Sequence, residues 1–247
     1  MEHRLYAGDN AHAWHALSWP QFAEFKKPEA ALVIQPIYSI SDWAMGRPMD
    51  AEEVTGSAVL DGAITQCSES LDALVLPPMR YTPKQSVGTA FGLDIEVAYR
   101  IMVGTITSAA EAGFKRFVLF NTSPFLEEWI DVAARDLRVQ TNLQMFCLNF
   151  SGIGLDFHPV RGGARAGLQS LLTHLLDEAP EDVAHESNTS LDPIARSVVL
   201  TRKSLGEDPR GAGRLLSNVA SELARLLREI ASHPTLCEVE PDKEASE

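Results

Sequence analysis

Four short apolar runs constrain the fold of this chain more than any other feature. They are ALVIQPI at residues 31–37, LVLP at 74–77, RFVLFN at Arg116–Asn121 and QMFCLN at Gln144–Asn149. Amphipathic segments of helix length separate them. Strands that are apolar on both faces must be covered on both faces, so this alternation indicates a parallel sheet between helices. The predicted fold class is α/β, with three layers (α/β/α) and a central, mostly parallel sheet.

The expected helices are marked by capping residues and prolines. Ser18 and Pro20 predict one helix start, and the acidic residues that begin at Asp50 favour another through the helix dipole. Asp94 opens a long helix for which Gly113 is the expected C-cap. The predicted helices cover residues 21–26, 50–69, 94–113, 125–138, 167–178, 193–204 and 213–232.

The length and composition indicate one domain with a short tail. We predict a single α/β domain over residues 1–237, followed by an acidic, disordered tail at 238–247. The net charge of −13 argues against nucleic acid or an anionic membrane as a partner. Apolar runs long enough to span a bilayer, about 20 residues, are absent from the sequence.

The three cysteines give a prediction of location. Cys67, Cys147 and Cys237 are an odd, widely spaced set without a CxxC pair. Such a set is typical of reduced thiols and not of a disulfide framework or a zinc knuckle. We therefore expect a cytoplasmic protein.

The topology predicts where a functional site lies. Connections in a parallel sheet are right-handed, and ligands bind beyond the carboxyl ends of the strands. The loops that follow the four predicted strands, at residues 38–50, 79–93, 122–126 and 150–167, are therefore expected to form the site.

Several ordered motifs resemble the creatininase family of amidohydrolases. They are SWPQF at residues 18–22, the strand at 33–36 with Asp50 about fourteen residues later, LPPMRY at 76–81 with the glycines at 88 and 92, GFKRFVLFN at 113–121, and GEDPR at 206–210 with the helix after it. The similarity spans about residues 14–231. It implies a creatininase-like three-layer α/β/α fold, assembly into homo-oligomers, and metal-dependent hydrolysis with a binuclear zinc or manganese site.

The ligands that this resemblance implies are largely missing. The family supplies a Glu-x-His pair after the first strand, an aspartate, a histidine in Asn-Gly-His and a later acid, but no histidine occurs here between His15 and His158. Asp50 is retained, whereas Ser123 stands at the Asn-Gly-His histidine. Arg165 stands at the position where the resemblance implies a further histidine in a later motif, and Leu168 stands near the acid of that motif. Serine is a poor ligand for a divalent metal and arginine opposes cation binding, so we predict no metal ligands and no cofactor.

Seven polar residues remain candidates for a metal-free site. For acid–base catalysis they are Asp42, Asp50 and His158; for substrate binding they are Arg47, Asn121, Ser123 and Arg165. Plainer interpretations stay open. Asp50 is also a suitable helix cap, the arginines are also suited to surface ion pairs, and a loop histidine often has no catalytic role.

Two functions from different classes follow. The first is a non-catalytic subunit, a pseudoenzyme with a degenerate metal site, which forms homo-oligomers or pairs with an active paralogue or binds a small polar ligand. The alternative is a divergent hydrolase that opens a small cyclic amide, lactone or polyol ketone with re-equipped acid–base groups. A third possibility, an adaptor that uses the acidic tail, rests on charge alone.

Overall fold

The central sheet has four parallel strands, which lie side by side in the order Ala73–Val75, Leu32–Ile37, Arg116–Asn121 and Gln144–Asn149. The computed structural model describes residues 12–25, 27–43, 47–67, 71–84, 89–158, 165–176 and 209–234. The strands are β1 (Leu32–Ile37), β3 (Ala73–Val75), β5 (Arg116–Asn121) and β6 (Gln144–Asn149), and a separate antiparallel pair joins β2 (Ile40–Ser41) to β4 (Thr89–Ala90). β1 is central and pairs with both β3 and β5.

Helices cover the sheet on both faces. They are α1 (Trp19–Ala23), α2 (Ala51–Cys67), α3 (Ile95–Glu111), α4 (Glu127–Thr141), α5 (Arg165–Leu176) and α6 (Pro209–Ser232). On one face of the sheet α2, α5 and α6 form one apolar cluster, and on the other face α3 and α4 form a second. This arrangement confirms the predicted three-layer α/β/α fold with a parallel central sheet.

Alternate side chains of each strand enter opposite clusters, as expected for a strand that is buried on both sides. Ile34 of β1 packs with Leu60 and Leu223 in the first cluster, whereas Val33 packs with Met102 and Ile130 in the second. All six are nearly or fully buried, and each such side chain contributes about 1.5–3 kcal/mol of transfer free energy. The two-sided burial explains why the strands lack an apolar–polar alternation.

The boundaries of the helices follow local capping chemistry. Asp94 accepts a hydrogen bond from the backbone N–H of Glu96 at 2.9 Å, so it caps α3 as predicted. Gly113 has a φ of 101°, which a glycine adopts without the strain of a Cβ, and it follows the end of α3. At the start of α4 a turn closed by Leu126 N–H and the Ser123 carbonyl moves the first residue to Glu127, two later than predicted.

Other differences are equally local. Ser18 and Gln21 form a capping box, so α1 begins at Trp19 instead of residue 21. The final helix begins at Pro209, four residues before the predicted start. The predicted helix at 193–204, the tail at 238–247 and Cys237 lie outside the described residues. Within the described ranges, no helix is both long and apolar enough to cross a membrane.

A buried arginine fastens the end of α6 to the sheet. Arg116, the first residue of β5, is only 2% exposed. Its Nη1 donates to the carbonyls of Ala231 at 2.7 Å and Ala30 at 3.3 Å, and its Nη2 donates to the carbonyl of His233. Its Nε donates to Gln144 Oε1 at 3.1 Å. The guanidinium thus satisfies carbonyls at a helix C-terminus, where the dipole favours a cation.

Candidate functional site

The carboxyl ends of β1 and β5 meet the N-terminus of α2, and Glu52 lies at this junction. The carboxyl group of Glu52 is only 3% exposed. Its Oε2 accepts from the backbone N–H of Ser39 at 2.9 Å, and its Oε1 accepts from the Ser39 hydroxyl at 2.8 Å. A single residue of the loop after β1 therefore holds both carboxyl oxygens.

Hydroxyl groups from two loops complete this cluster. Ser39 Oγ lies 3.0 Å from Ser41 Oγ and 3.4 Å from Ser123 Oγ, which belongs to the loop after β5. All three serines are buried. We call Ser39, Ser41, Glu52 and Ser123 the serine–glutamate cluster. It occupies the edge of the sheet at which a ligand site is expected in this topology.

The environment of Glu52 disfavours a negative charge. Burial raises the pKa of Glu52 to about 7, although hydrogen bonds from Ser39, Trp43 and Ser123 act in the opposite direction. Desolvation dominates because the surrounding donors are neutral, and an ionised carboxylate loses more hydration than they return. Near neutral pH the protonated and the ionised form of this carboxyl group are therefore both populated.

Aromatic side chains form one wall beside the cluster. Trp43 is buried, and its ring lies 5.9 Å from that of Phe125. Phe125 in turn lies 5.3 Å from the imidazole of His158. The Trp43 indole N–H faces Glu52 with a geometry looser than a regular hydrogen bond. This side of the site is therefore apolar and filled by side chains.

The next residue along α2 makes a separate ion pair. Glu53 accepts two hydrogen bonds from Arg80, one from Nε and one from Nη2, both at 2.6 Å. The pair is partly buried, with 10% of the Glu53 side chain and 27% of the Arg80 side chain exposed. It fastens the loop after β3 to the start of α2, next to the serine–glutamate cluster.

A close approach of α2 positions Glu52. A Cβ on Gly56 would lie 2.5 Å from the Thr122 methyl group and 2.6 Å from the Tyr38 ring. Glycine at this position lets the helix contact the two loops that carry the serines. Because Gly56 lies one turn beyond Glu52, the same contact brings the carboxyl group to the loops.

Among the predicted site residues whose side chains the structure describes, Ser123 forms part of the cluster through a hydroxyl contact, with its Oγ 3.4 Å from Ser39 Oγ. Asn121 lies close to Ser123 and has a structural role. Its Nδ2 donates to the Ser123 carbonyl at 2.9 Å and to Asn149 Oδ1 at 2.8 Å. Its Oδ1 accepts a hydrogen bond from the Ser123 N–H at 3.1 Å. These hydrogen bonds fix the turn after β5 and join it to the end of β6. They orient the Ser123 backbone.

Two of the other predicted residues, Asp42 and Asp50, lie between β2 and α2. Asp42 is exposed between the buried Ser41 and Trp43. Asp50 is half-buried directly before α2, and its backbone carbonyl accepts from Val54 N–H.

Arg47 and His158, two further predicted residues, have contacts within the described structure. Arg47 donates from Nη2 to Thr173 Oγ1 of α5 at 2.7 Å. The backbone N–H of His158 donates to Asp156 Oδ1 at 2.9 Å, so the aspartate shapes this loop. Arg165 is the first residue of α5, and its side chain lies outside the described part of the structure.

Sequence reasoning missed Glu52, the central residue of the cluster. It counted Glu52 only among the acids that favour a helix N-terminus. A usable signal was the helical spacing from Glu52 to Thr55, Gly56 and Val59, all of which face inward. An acidic residue on the inward-facing side of a helix is expected to be buried. Its carboxyl group is therefore expected to be hydrogen-bonded or protonated.

The donors at this edge do not fit a pair of zinc or manganese ions. Such ions require imidazoles and carboxylates, whereas the cluster offers one carboxyl group and three hydroxyls. Among the described residues, no group of three or more histidine, cysteine, aspartate or glutamate side chains is arranged to hold a metal.

The architecture and the position of the site define a layered α/β/α protein with its polar cluster at the carboxyl edge of a parallel sheet. The family model for creatininase, described as creatinine amidohydrolase, matches residues 15–192. The chain therefore belongs to the creatininase family, and the resemblance inferred from its motifs is confirmed. No curated protein matches the sequence.

Solved structures show the same fold. A putative creatinine amidohydrolase from Bacteroides fragilis has a TM-score of 0.65 at 12% identity, with 92% of this chain and 98% of that chain covered. A creatinine amidohydrolase (creatininase) has a TM-score of 0.63 at 19% identity, with 90% and 99% covered. A structure described as creatininase Mn has a TM-score of 0.60 at 20% identity, also with 90% and 99% covered.

Proposed function

We propose that this chain is a non-catalytic member of the creatininase family, a subunit or ligand-binding protein that retains the scaffold without the metal chemistry. The observation that carries the proposal is the serine–glutamate cluster with its aromatic wall. It fills the edge of the sheet where the family resemblance implies a metal pair. The side chains there are neutral hydroxyls, one carboxyl group with a raised pKa, and aromatic rings.

The composition of the loop after β1 supports this proposal. The family resemblance implies a Glu-x-His pair after the first strand, whereas residues 38–50 contain no histidine, and Ser39, Ser41 and Trp43 of this loop pack or form hydrogen bonds within the protein. Ser123 stands where the resemblance implies a histidine. In each place a ligand-type side chain is replaced by one that packs or donates a hydrogen bond within the protein.

Metal analysis of the purified chain tests the proposal directly. The protein is dialysed with zinc or manganese, freed of excess ion, and measured by plasma mass spectrometry beside an active creatininase handled identically. We expect two ions per chain in the control and far less than one here. Creatinine hydrolysis should likewise be at background. Two tightly bound ions per chain would overturn the proposal.

A second function is favoured by the geometry of Ser39 and Glu52. A carboxyl group whose pKa is about 7 and which lies 2.8 Å from a hydroxyl is suited to general acid–base catalysis. This pair would serve a metal-free hydrolase that opens a small cyclic amide, lactone or polyol ketone. Both residues are at most 3% exposed, so a substrate could reach them only after Trp43 and Phe125 move apart.

A measurement of catalytic turnover distinguishes the two proposed functions. Wild type is screened after chelation against creatinine, simple lactones and polyol ketones, with Glu52→Gln and Ser39→Ala as paired variants. Turnover that both variants abolish, while their folding is unchanged, establishes the hydrolase and removes the pseudoenzyme. Absence of turnover across the panel supports the first proposal.

The proposal also includes a cytoplasmic location and a protein partner, either another copy or an active paralogue. Cys67 and Cys147 are reduced and not joined in a disulfide, which supports the location. Co-expression with neighbouring creatininase-family chains, followed by affinity purification, tests the paralogue. Recovery of a stoichiometric complex would support it, and recovery of this chain alone would remove it.

A further inference from the structure

The loop segment beside the serine–glutamate cluster is held in place by short, local pairings. β2 and β4 form an antiparallel ladder of two residues each, whereas β1, β5 and β6 contain six residues each. The Ser41 N–H also donates to the Met49 carbonyl at 3.1 Å. We call residues 39–43 together with β4 the cover. A short ladder of this kind opens at a lower free-energy cost than the strands of a buried sheet.

The cover shields the cluster because its own side chains are part of it. Ser39 and Ser41 contribute two of the hydroxyl groups, and the buried Trp43 packs against Phe125. Ser39 also binds both carboxyl oxygens of Glu52 through its N–H and its hydroxyl group. These two hydrogen bonds exist only while the cover is closed, so opening the cover gives the carboxyl group access to water.

The backbone directly after β4 is strained in the closed state. Phe91 has a φ of 54°, in the left-handed region that a bulky side chain rarely adopts. Its side chain is 67% exposed, so packing compensates little for this conformation. A Cβ on Gly92 would lie 2.6 Å from the Cβ of Lys84, which shows how closely this backbone approaches the loop after β3. Strain of this kind is released when β4 moves away from β2.

Titratable and charged groups lie on the elements around Glu52. Glu53 is engaged by Arg80, and Arg47 donates to Thr173. The hydrogen bonds that lower the pKa of Glu52 come instead from neutral groups, and burial has the larger, opposite effect. Burial is therefore the main control on its ionisation. Among the described side chains, the titratable and charged groups on these elements are Tyr38, Asp42 and Arg47 of the loop after β1, Asp50 and Glu53 at the start of α2, Arg80 of the loop after β3, and Asp156 and His158 of the loop after β6.

We propose that the cover is a pH-operated gate, which stays closed while Glu52 is protonated and opens locally when Glu52 ionises. A protonated carboxyl group is tolerated among neutral, buried neighbours, whereas a carboxylate gains far more from water. The gate exposes the cluster to ligands at neutral pH and withdraws it in acid. The inference goes beyond the proposed function, since the gate operates whether the site binds a ligand, turns over a substrate or does neither.

The linkage between ionisation and opening sets the size of the effect. The pKa of Glu52 is about 7 in the closed state, and its ordinary value in water is 4.5. The closed state is therefore favoured fully below pH 4.5, and this preference is lost as the pH rises through 7. The equilibrium constant for opening should increase on the order of 300-fold over this interval and then level off.

Amide hydrogen exchange of the full chain, followed by NMR, measures the opening. The protection factors of the Ser39 and Ser41 amides already correct for the ordinary effect of pH on exchange. We expect them to fall about 70-fold between pH 5 and pH 8. They should also lie roughly tenfold or more below those of Val118 and Leu119 in β5 at each pH. Low concentrations of urea should accelerate exchange in β5 alone, because local opening exposes little surface.

Substitutions separate the gate from general effects of pH. Glu52→Gln removes the ionisable group, so the protection factors of Ser39 and Ser41 should be equal at pH 5 and pH 8. Glu96→Gln removes an exposed carboxylate of α3 and is the matched control, which should keep the wild-type pH dependence.

A further variant leaves the buried carboxyl group untouched. Phe91→Asn relieves the strain after β4, because asparagine tolerates the left-handed region better than phenylalanine. It should raise the protection factors of the Ser39 and Ser41 amides about fivefold at every pH and leave their pH dependence unchanged.

Three results would overturn the proposal. The first is a wild-type protection factor for Ser39 and Ser41 that does not change between pH 5 and pH 8. The second is the wild-type pH dependence in Glu52→Gln. The third is exchange of the cover amides that matches β5 in rate and in urea dependence, because that result indicates global unfolding. Each of these results is independent of the metal analysis, so failure of the gate and failure of the proposed function are distinguishable.

Discussion

At the scale of single residues, the buried carboxyl group of Glu52 links stability to pH. Its pKa is about 7 in the folded protein and lower in the unfolded chain, so the folded state binds more protons between these values. The contribution of protonated Glu52 is fully present below about pH 4.5 and is lost as the pH rises through 7. At about 1.4 kcal/mol per pH unit, the loss is about 3 kcal/mol.

Glu52→Gln should remove this dependence, because the amide resembles the protonated acid at every pH. We expect the variant to match wild type at pH 5 and to be more stable at pH 8, measured by urea unfolding across that range. Ser41→Ala, which removes a neighbouring hydroxyl and leaves the acid, serves as the control and should keep the wild-type slope. Parallel curves for wild type and Glu52→Gln would contradict the assignment.

The Glu53–Arg80 pair should follow the energetics of partly buried ions. Arg80→Met leaves the carboxylate without its two 2.6 Å bonds, and we expect a loss of about 2 kcal/mol in the free energy of unfolding. The double variant Glu53→Gln/Arg80→Met should lose less than Arg80→Met alone, since no unpaired charge remains. Thermal and urea unfolding of all variants complete the cycle.

An exposed pair provides the comparison for this cycle. Glu222 and Arg225 on α6 form a 2.7 Å ion pair that is accessible to water on both sides. Glu222→Gln should therefore give no measurable change in stability, because solvent screens such pairs. A loss equal to that of Arg80→Met would show that burial is not the cause of the difference.

At the scale of elements, Arg116 determines how α6 ends. Arg116→Met removes the donors for the carbonyls of Ala30, Ala231 and His233 together, and we expect a loss of about 3 kcal/mol in the free energy of unfolding. Arg116→Lys keeps the charge but lacks the planar guanidinium. Its free energy of unfolding should lie between those of wild type and Arg116→Met. Hydrogen exchange should show the loosening first in the last turn of α6. An unchanged last turn in Arg116→Met would contradict this role.

The elements also show what sequence reasoning predicts well. β5 and β6 have the predicted bounds, because each is a continuous apolar run between well-marked helices. The second strand is shorter than predicted, ending at Val75; Pro77 and Pro78 follow, and proline cannot donate to a ladder. The two-residue strands β2 and β4 were not predicted, since their pairing of Ile40 with Ala90 depends on distant loops meeting in space.

The candidate site was only partly predictable for a related reason. The edge of the sheet and the loops that carry Ser39 and Ser123 follow from topology, which periodicity alone supplies. The burial of Glu52 depends on the close approach of α2 at Gly56, which is a tertiary contact. Loop membership likewise did not predict that Asp42 is exposed or that Arg47 donates to Thr173 of α5, because both depend on how the loops pack.

At the scale of the whole molecule, the two helical layers contribute differently. The layer with α3 and α4 packs directly on the sheet, and α4 carries the exposed Asp131–Arg135 pair. The layer with α2, α5 and α6 carries Glu52 and Glu53 at the start of α2, and Arg116 holds the end of α6. The polar site therefore belongs to one helical layer, and the exposed charges of α4 belong to the other.

The packed rings of Trp43 and Phe125 have an evolutionary consequence. An imidazole or carboxylate introduced singly beside them would enter a dry interior without a cation to neutralise it, and the protein would lose stability before it gained any ion. Several replacements would have to arise together for coordination chemistry to return. Regaining a metal site therefore requires more simultaneous substitutions than losing one. Descendants of this chain are expected to diversify through their surfaces.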